Sequence, residues 1–138
     1  MTRYLAEHIG FSGTVKWAIA GRSPSKLNEL RASLGEVAAN LPIIIADADD
    51  VNALAKLCQS TRVIATTVGP YALYGEQMVK ACAENGTDYC DLCGEAYWIK
   101  RMIVKYADAA EQTGARIVSC CGFDSIPSDL GVHFLQQQ

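Results

Sequence analysis

The sequence lacks any apolar run near the roughly 20 residues that a membrane-spanning helix requires. It also lacks an excess of positive charge, because the formal net charge is −3, and this argues against a nucleic-acid or anionic-membrane partner. The opening segment Met1–His8 carries charges where a secretory signal would place its apolar region. These absences predict a cytoplasmic protein without a transmembrane segment and without a nucleic-acid partner.

Internal repeats are also absent, and the only low-complexity stretch is the short tail Gln136–Gln138. Half of the residues are hydrophobic and a fifth are charged, which is ordinary for a globular domain. A chain of 138 residues can bury a proper hydrophobic core. We therefore expect one domain rather than several.

Six cysteines are present, scattered through apolar segments as buried free thiols usually are. Cys90 and Cys93 form a C-x-x-C pair, which raises the hypothesis of a redox or zinc site. A zinc site would need a second ligand pair at matching spacing, and the adjacent Cys120 and Cys121 have poor geometry for one. A thioredoxin-type motif opens a helix, whereas Cys90 lies inside a strand-like run. We expect neither a functional disulfide nor a metal site.

Apolar periodicity predicts a helix followed by repeated strand–helix units with short connections. The predicted strands are Val15–Ala20, Leu41–Ala46, Val63–Val68, Thr87–Leu92 and Ala115–Cys121. The predicted helices are Thr2–His8, one opened by Ser23 and Pro24, one capped by Asp49 or Asp50, one from about Glu76, Ala96–Thr113, and one opened by Ser125. This alternation predicts an α/β fold with a doubly wound, Rossmann-like and mostly parallel sheet.

The stretch Arg62–Glu76, RVIATTVGPYALYGE, is the one around which the other elements are placed. Its apolar β-branched beginning is typical of a strand covered on both faces. Gly69 lets a ligand approach the backbone closely, and Pro70 ends the ladder by removing a donor. Open α/β sheets bind ligands outside the carboxyl ends of such strands, so we expect cofactor contacts at Gly69, Pro70 and Tyr71.

Arg22 follows the first predicted strand at the position where dinucleotide-binding folds hold the adenosine ribose. An acidic residue there receives the ribose hydroxyl, whereas an arginine accommodates the 2′-phosphate of NADP. No acid occurs between Arg22 and Glu29, and the side chains of Ser23, Ser25 and Lys26 could add donors. The alternative is an exposed arginine in a turn. The strand–helix context favours NADP, bound by Arg22, Ser23 and Lys26.

Further candidate cofactor contacts follow the next two strands. Asp47 could accept a hydrogen bond from the adenine amino group, or it could simply belong to the acidic start of a helix. Tyr71 and Tyr74 flank the Gly-Pro break and could line a nicotinamide site, although exposed loop tyrosines are common. Both alternatives stay open for each residue.

Two later segments follow strands that are expected to end at the same edge of the sheet. Glu95 could be a general acid or base, a polar anchor for substrate, or the cap of the next helix, which is the ordinary role of a carboxylate at a helix start. Asp124 and Ser125 would face the same edge beyond the last strand. His133 is expected to be a surface or packing residue. Glu95, Asp124 and Ser125 are candidate substrate-side residues, and the sequence assigns no catalytic residue.

Four segments together resemble one family: WAIAGRSPSKL, DADD, TTVGPYALYGEQMVKACAENGTDYCDLCGE and SCCGFDSIPSDLGV. They are similar to the NADP-binding domain of saccharopine dehydrogenase-like oxidoreductases, in the branch that includes the mycobacterial trans-acting enoyl reductases. The resemblance runs from about Arg3 to His133. It implies hydride transfer with NADP and a small-molecule or lipid-linked substrate, which differs between members along with their second domain.

In that family, a strand and a glycine-rich turn of the type G-A-T-G-x-x-G come first, and the turn holds the cofactor's pyrophosphate. The present sequence starts inside the helix that follows this turn, and it stops before the family's substrate and dimerisation domain. The resemblance therefore implies a single partial dinucleotide-binding domain over residues 1–138, truncated at both ends. We expect NADPH to bind this chain weakly or not at all.

Two hypotheses of different class follow. The chain is part of an NADP-dependent oxidoreductase, or it is a catalytically inert short protein that acts as a binding module, as a homo-oligomer or with a complementary chain. A longer upstream reading frame that codes for the glycine-rich turn would favour the first hypothesis.

The strand order 3-2-1-4-5-6 would place the absent first strand between Val15–Ala20 and Arg62–Val68. We expect these two strands to pair directly, to recruit a strand from another chain, or to leave the domain marginally stable.

Overall fold

The computed structural model describes every residue from Met1 to Gln138, and the chain forms two compact units, Met1–Asp47 and Ala48–Gln138. The helices are α1 (Thr2–His8), α2 (Pro24–Ala32), α3 (Val51–Gln59), α4 (Tyr71–Tyr74), α5 (Glu76–Asn85), α6 (Ala96–Thr113) and α7 (Ile126–Gln136), with a 3₁₀ turn at Glu36–Ala38. The strands are β1 (Ile19–Gly21), β2 (Ile43–Ile45), β3 (Val63–Thr66), β4 (Asp88–Asp91) and β5 (Ile117–Val118). All strand pairs are parallel, so the predicted α/β class with parallel sheets is confirmed.

The unit Met1–Asp47 holds a two-stranded sheet in which β1 pairs with β2. The chain leaves β1 and enters α2 through Ser23, whose Oγ accepts a hydrogen bond from the Lys26 amide at 3.4 Å. Pro24 begins the helix, where its missing N–H costs no hydrogen bond. The buried core of this unit is formed by Ile19, Leu27, Ala38 and Leu41.

The unit Ala48–Gln138 holds a three-stranded sheet in the order β3-β4-β5, which makes β4 the central strand. Its largest fully buried side chains are Leu54, Cys58, Val79, Cys82, Tyr89 and Cys93. They belong to α3, α5, β4 and the loop after β4, so the core of this unit lies among these elements. The buried residues recur at helical spacing, as Leu54, Leu57 and Cys58 in α3 and as Val79, Cys82 and Ala83 in α5.

The prediction that β3 is covered on both faces is wrong. Its residues alternate between exposed and half-buried, and Val63 keeps 52% of its surface accessible. β3 pairs with β4 alone, and β1 lies in the other sheet, so the direct pairing of these two strands is absent. An apolar run indicates a strand, but the burial of that strand depends on neighbours that the run does not specify.

A short helix that the sequence did not predict, α4, precedes the helix predicted from about Glu76. α4 starts at Tyr71, directly after Pro70, and Gly75 separates it from α5, which does start at Glu76. The first amides of a helix need acceptors from outside the helix. The acceptor for Tyr71 lies 24 residues further along the chain, so the local sequence could not indicate this start.

All six cysteines are free thiols. The Sγ atoms of Cys58 in α3 and Cys82 in α5 lie 3.6 Å apart, and both side chains are fully buried. None of the helices combines the length and the apolar character needed to cross a bilayer.

Gly75 joins α4 to α5 where the backbone approaches Trp98 of α6. A Cβ on Gly75 would lie 2.6 Å from Trp98 Cζ2 and 2.9 Å from the Tyr71 carbonyl oxygen. The carbonyl belongs to the helix backbone, so it cannot turn away as a flexible side chain would. Because the φ of Gly75 is −84°, packing and not backbone conformation requires glycine at this position.

Gly75→Ala should lower the free energy of unfolding by about 1–3 kcal/mol, because the added methyl group overpacks the contact with Trp98. Gly131→Ala is the matched control, since Gly131 lies within α7 and its added Cβ would meet nothing within 4 Å. Alanine at 131 should stabilise the helix by up to about 1 kcal/mol. Urea denaturation of both variants measures the difference, and equal stability of the two would contradict the packing argument.

Asp88 at the start of β4 and Arg116 just before β5 form an ion pair. Arg116 Nε donates to Asp88 Oδ2 at 3.0 Å, and the Arg116 amide donates to Oδ1 at 2.9 Å. These hydrogen bonds lower the pKa of Asp88 to about 2. A carboxyl group with a lowered folded-state pKa stabilises the fold above its unfolded pKa, and this contribution is lost as the pH falls toward 2.

Arg116→Ala should raise the pKa of Asp88 toward its ordinary value, because the guanidinium hydrogen bonds are removed. Carboxyl ¹³C NMR across the acid range measures this pKa directly. Arg116→Lys keeps the positive charge but loses the planar fork, so it should give an intermediate value. A pKa that stays unchanged in Arg116→Ala would assign the shift to a different group.

Candidate functional site

β1 and β2 end at the same edge of their sheet. Just past the last paired residues, the Ala46 amide donates to the Gly21 carbonyl at 3.1 Å. Arg22 directly follows Gly21, and Asp47 directly follows Ala46. The two residues predicted to bind the adenosine half of a cofactor therefore leave the sheet at its carboxyl edge.

The Arg22 side chain is exposed and makes no hydrogen bond or ion pair. Lys26 is also exposed, in a first helical turn that contains no acidic residue. The Ser23 Oγ caps α2 and lies 3.1 Å from Ser25 Oγ. Two unpaired cations beside the start of a helix suit a phosphate group. These residues therefore fit the 2′-phosphate of NADP.

Glu95 joins the loop after β4 to the loop after β3. Its Oε1 accepts a hydrogen bond from the Tyr71 amide at 2.7 Å, and its Oε2 accepts one from the Ala72 amide at 2.9 Å. Glu95 directly precedes α6, yet its side chain makes no hydrogen bond to that helix. The carboxylate that could have capped α6 therefore caps α4, and both of its oxygens are engaged.

Asp91 is a buried carboxylate at the end of β4, with 4% of its surface exposed. Its Oδ1 accepts from the amides of Cys93 at 3.0 Å and Cys120 at 3.1 Å. Its Oδ2 accepts from the hydroxyls of Tyr89 at 2.7 Å and Ser119 at 3.2 Å. Burial, followed by the hydrogen bond to Asp91, raises the pKa of Tyr89, which keeps this hydroxyl a donor. The bonds from Ser119 and Cys120 fasten the loop after β5 to the end of β4, and the bond from Cys93 holds the loop after β4.

The backbone at Cys120 is shaped by this contact. Cys120 has a φ of 63°, which is uncommon for a residue with a side chain. The next amide, of Cys121, donates to the Asp91 carbonyl at 2.7 Å. The sequence carries no signal for this role of Asp91, because Asp47 also follows a strand and no pattern separates the two.

Tyr71 is buried, with 5% of its surface exposed. Its hydroxyl donates to the Thr66 carbonyl at 3.2 Å, and its ring centroid lies 5.6 Å from that of Trp98. Burial raises the pKa of Tyr71. Its side chain is therefore occupied with packing, while Tyr74 keeps 40% of its surface accessible.

Gly69 and Pro70 are exposed and are joined by a cis peptide bond. A Cβ on Gly69 would make ordinary van der Waals contacts, at 3.6 Å from atoms of the Tyr71 ring. Packing within the chain therefore does not require glycine at this position. Close approach of a ligand to the backbone of Gly69 stays a prediction.

Asp124 and Ser125 lie between β5 and α7. Their segment approaches the loop after β4 at Gly122, where an added Cβ would lie 2.8 Å from Leu92 Cβ. The Asp124 side chain is exposed, and neither it nor the Ser125 hydroxyl makes a hydrogen bond to the loops after β3 and β4. The structure brings this segment, but not these two side chains, into contact with the same edge.

No group of three or more His, Cys, Asp or Glu side chains is arranged to hold a metal ion. His133 is exposed on α7, where its Nε2 lies 2.9 Å from Gln137 Nε2. The indole N–H of Trp98 is buried without an acceptor. Sequence reasoning gave no role to Trp98, which the structure places against both Tyr71 and Gly75.

A family model, the saccharopine dehydrogenase NADP binding domain, matches residues 1–118. A trans-acting enoyl reductase from Mycobacterium ulcerans is 50% identical over 121 residues, which cover 88% of this chain and 29% of that protein. One from Mycobacterium tuberculosis is 48% identical over 134 residues, covering 96% and 32%. A lipid droplet localized protein from Caenorhabditis elegans is 41% identical over 141 residues, covering 99% and 33%. The chain thus spans about a third of the length of these relatives.

Apo saccharopine dehydrogenase (L-Glu forming) from Saccharomyces cerevisiae has a similar fold, with a TM-score of 0.64 over 89% of this chain and 25% of that one. At 16% sequence identity this likeness concerns the fold alone, and it agrees with the predicted Rossmann-like class. Since the family model covers residues 1–118, the chain belongs to the saccharopine dehydrogenase NADP-binding domain family.

Proposed function

We propose that the chain is the cofactor-binding part of an NADP-dependent oxidoreductase that transfers hydride in its full-length form. The observation that carries this proposal is the unpaired guanidinium of Arg22 at the carboxyl edge of the β1–β2 sheet. The match to an NADP-binding family supports it. A guanidinium can donate two parallel hydrogen bonds to a phosphate, which a neutral or acidic side chain cannot do.

In this proposal, Arg22 holds the 2′-phosphate of NADP, with Lys26 as a second cation and Ser23 near the helix start. The absence of an acid in the first turn of α2 removes the group that would favour the unphosphorylated ribose of NAD. Asp47, which leaves the same sheet edge, is proposed to accept a hydrogen bond from the adenine amino group. These roles together would select NADP over NAD.

The loops that follow β3, β4 and β5 are proposed to serve the reactive half of the cofactor and the substrate. Gly69 and Pro70 are exposed beside the backbone of Tyr71, which suits close contact with a flat ring. Asp124 and Ser125 are proposed on the substrate side, supported by the approach of their segment to this edge. Glu95 is proposed to act in the same region.

The proposed reaction is the reduction of an enoyl group on a lipid-linked substrate. It is supported by relatives at 50% and 48% identity that are named trans-acting enoyl reductase. The activity would belong to a protein about three times the length of this chain, which spans 29% and 32% of those relatives. Within it, residues 1–138 would form the partial dinucleotide-binding domain.

The cytoplasm is the proposed location. All six cysteines are free thiols, and free thiols are typical of a reducing compartment. A homo-oligomer or a complementary chain is the proposed partner of this domain.

Purified 1–138 should bind 2′,5′-ADP more tightly than 5′-AMP, because only the first carries the phosphate that Arg22 would hold. Arg22→Ala should remove at least about tenfold of this preference, since hydrogen bonds to charged groups contribute about 1.5–3 kcal/mol. NMR titration measures these affinities, because it detects the millimolar binding expected of mononucleotides that carry only part of the cofactor. Arg3→Ala is the control, because Arg3 is an exposed arginine of the same unit and lies on α1.

An equal affinity of the wild-type chain for the two nucleotides would contradict the assignment of Arg22. If neither nucleotide binds, the cofactor role fails for this chain, and the alternative of a catalytically inert interaction module is favoured. Arg22→Asp should further reverse the preference, because a carboxylate repels the 2′-phosphate.

A further inference from the structure

The backbone of Glu95 is fixed by hydrogen bonds that do not involve the loop after β3. Its amide donates to Cys93 Sγ at 3.2 Å, and its carbonyl accepts from the Ile99 amide at 3.0 Å in the first turn of α6. Cys93 in turn is buried and bonded through its amide to Asp91. The carboxylate of Glu95 is therefore a fixed anion at the start of α4, placed there by the end of β4.

Every backbone N–H at the start of α4 has a hydrogen-bond acceptor within the protein. Pro70 has no N–H, and the amides of Leu73 and Tyr74 both donate to the Pro70 carbonyl, at 3.2 and 3.1 Å. The two remaining amides, of Tyr71 and Ala72, donate to Glu95. A loop that leads from a strand to a helix would otherwise offer such amides to a phosphate group.

We propose that Glu95 is a positioning residue that fixes the Gly69–Tyr71 loop and, by filling both free amides with its own charge, excludes phosphate groups from it. This inference rests on the proposed function. The part of the cofactor that meets the loop is then the nicotinamide ring and not the diphosphate. The ring is neutral in NADPH and cationic in NADP⁺, and neither form is repelled by a carboxylate as a phosphate is.

This role differs from the substrate anchor or general acid–base that the sequence left open. A carboxylate that holds two backbone amides would weaken that hold by taking up a proton, because a protonated carboxyl group is a poorer hydrogen-bond acceptor. Both oxygens of Glu95 accept short hydrogen bonds from backbone amides, and removing the carboxylate would leave both amides unpaired. Glu95 therefore acts on the ligand through the backbone that it holds.

The test compares the complete 1–138 chain with Glu95→Ala and with the isosteric Glu95→Gln by ¹H–¹⁵N NMR. Hydrogen exchange at the amides of Tyr71 and Ala72 should become at least about tenfold faster in Glu95→Ala. In Glu95→Gln one amide should stay protected, because the side-chain amide keeps one acceptor oxygen. Glu111→Ala is the control, since Glu111 is an exposed glutamate of α6, the helix that Glu95 precedes, and its side chain bonds to nothing.

Inorganic phosphate tests whether Glu95 excludes phosphate groups from the Gly69–Tyr71 loop. It should leave the Tyr71 and Ala72 resonances of the wild-type chain unmoved, and it should shift them saturably in Glu95→Ala. Phosphate-dependent shifts of these resonances in the wild type would overturn the proposal, as would unchanged exchange in Glu95→Ala. If Glu95→Ala does not fold, Glu95→Gln decides both points, because it keeps the shape of the side chain while removing its charge.

A titration with NADPH, followed by the same NMR spectra, tests the positioning role of Glu95 and the proposed function independently. At millimolar concentration it should shift Gly69 in the wild type while leaving the Tyr71 and Ala72 amides protected. If NADPH moves no resonance of the chain, the cofactor role fails for this chain, and with it the assignment of the nicotinamide ring to this loop. If NADPH shifts Arg22 and Gly69 equally in the wild type and in Glu95→Ala, the proposed function stands and the positioning role is overturned.

Discussion

The buried carboxylate of Asp91 is the interaction on which the carboxyl edge of the β3–β5 sheet depends. A charge removed from water destabilises a protein unless hydrogen bonds replace its hydration. Here the replacements come from Tyr89, Cys93, Ser119 and Cys120. Because these donors belong to β4 and to the loops after β4 and β5, the bonds that satisfy the charge also fix both loops. The chain could not lose one of these loops without leaving the charge partly unsatisfied.

Glu95 extends the same logic to the third loop. Asp91 holds Cys93, Cys93 holds the amide of Glu95, and Glu95 holds the first two amides of α4. These bonds connect the loop after β3 to the end of β4. The loop and the strand are neighbours in the structure, although the whole of α5 lies between them in the sequence. Rigid elements behind a binding loop keep its backbone in place at little entropic cost on binding.

Three charged residues that follow strands, Asp91, Glu95 and Arg22, differ in whether the protein itself supplies their hydrogen-bond partners. Asp91 and Glu95 are bonded by the protein itself, which is typical of groups that hold a fold together. Arg22 is exposed and unpaired, and an exposed cation in water costs little to keep unpaired. An unpaired cation remains available to a phosphate, whereas a carboxylate bonded to backbone amides acts by holding that backbone in place. This contrast could not be seen in the sequence, where all three residues simply follow strands.

The sequence by itself determined the order of elements, the parallel α/β class and the family. Apolar periodicity and the Ser23-Pro24 helix start are local signals, and the structure follows both of them. Tertiary structure alone decided that β3 is an edge strand and that the helix after it begins at Tyr71. It also decided that Glu95 caps α4 and not α6. These features depend on acceptors and neighbours more than 20 residues away, such as the 24 positions between Tyr71 and Glu95, and local residue preferences carry no information about them.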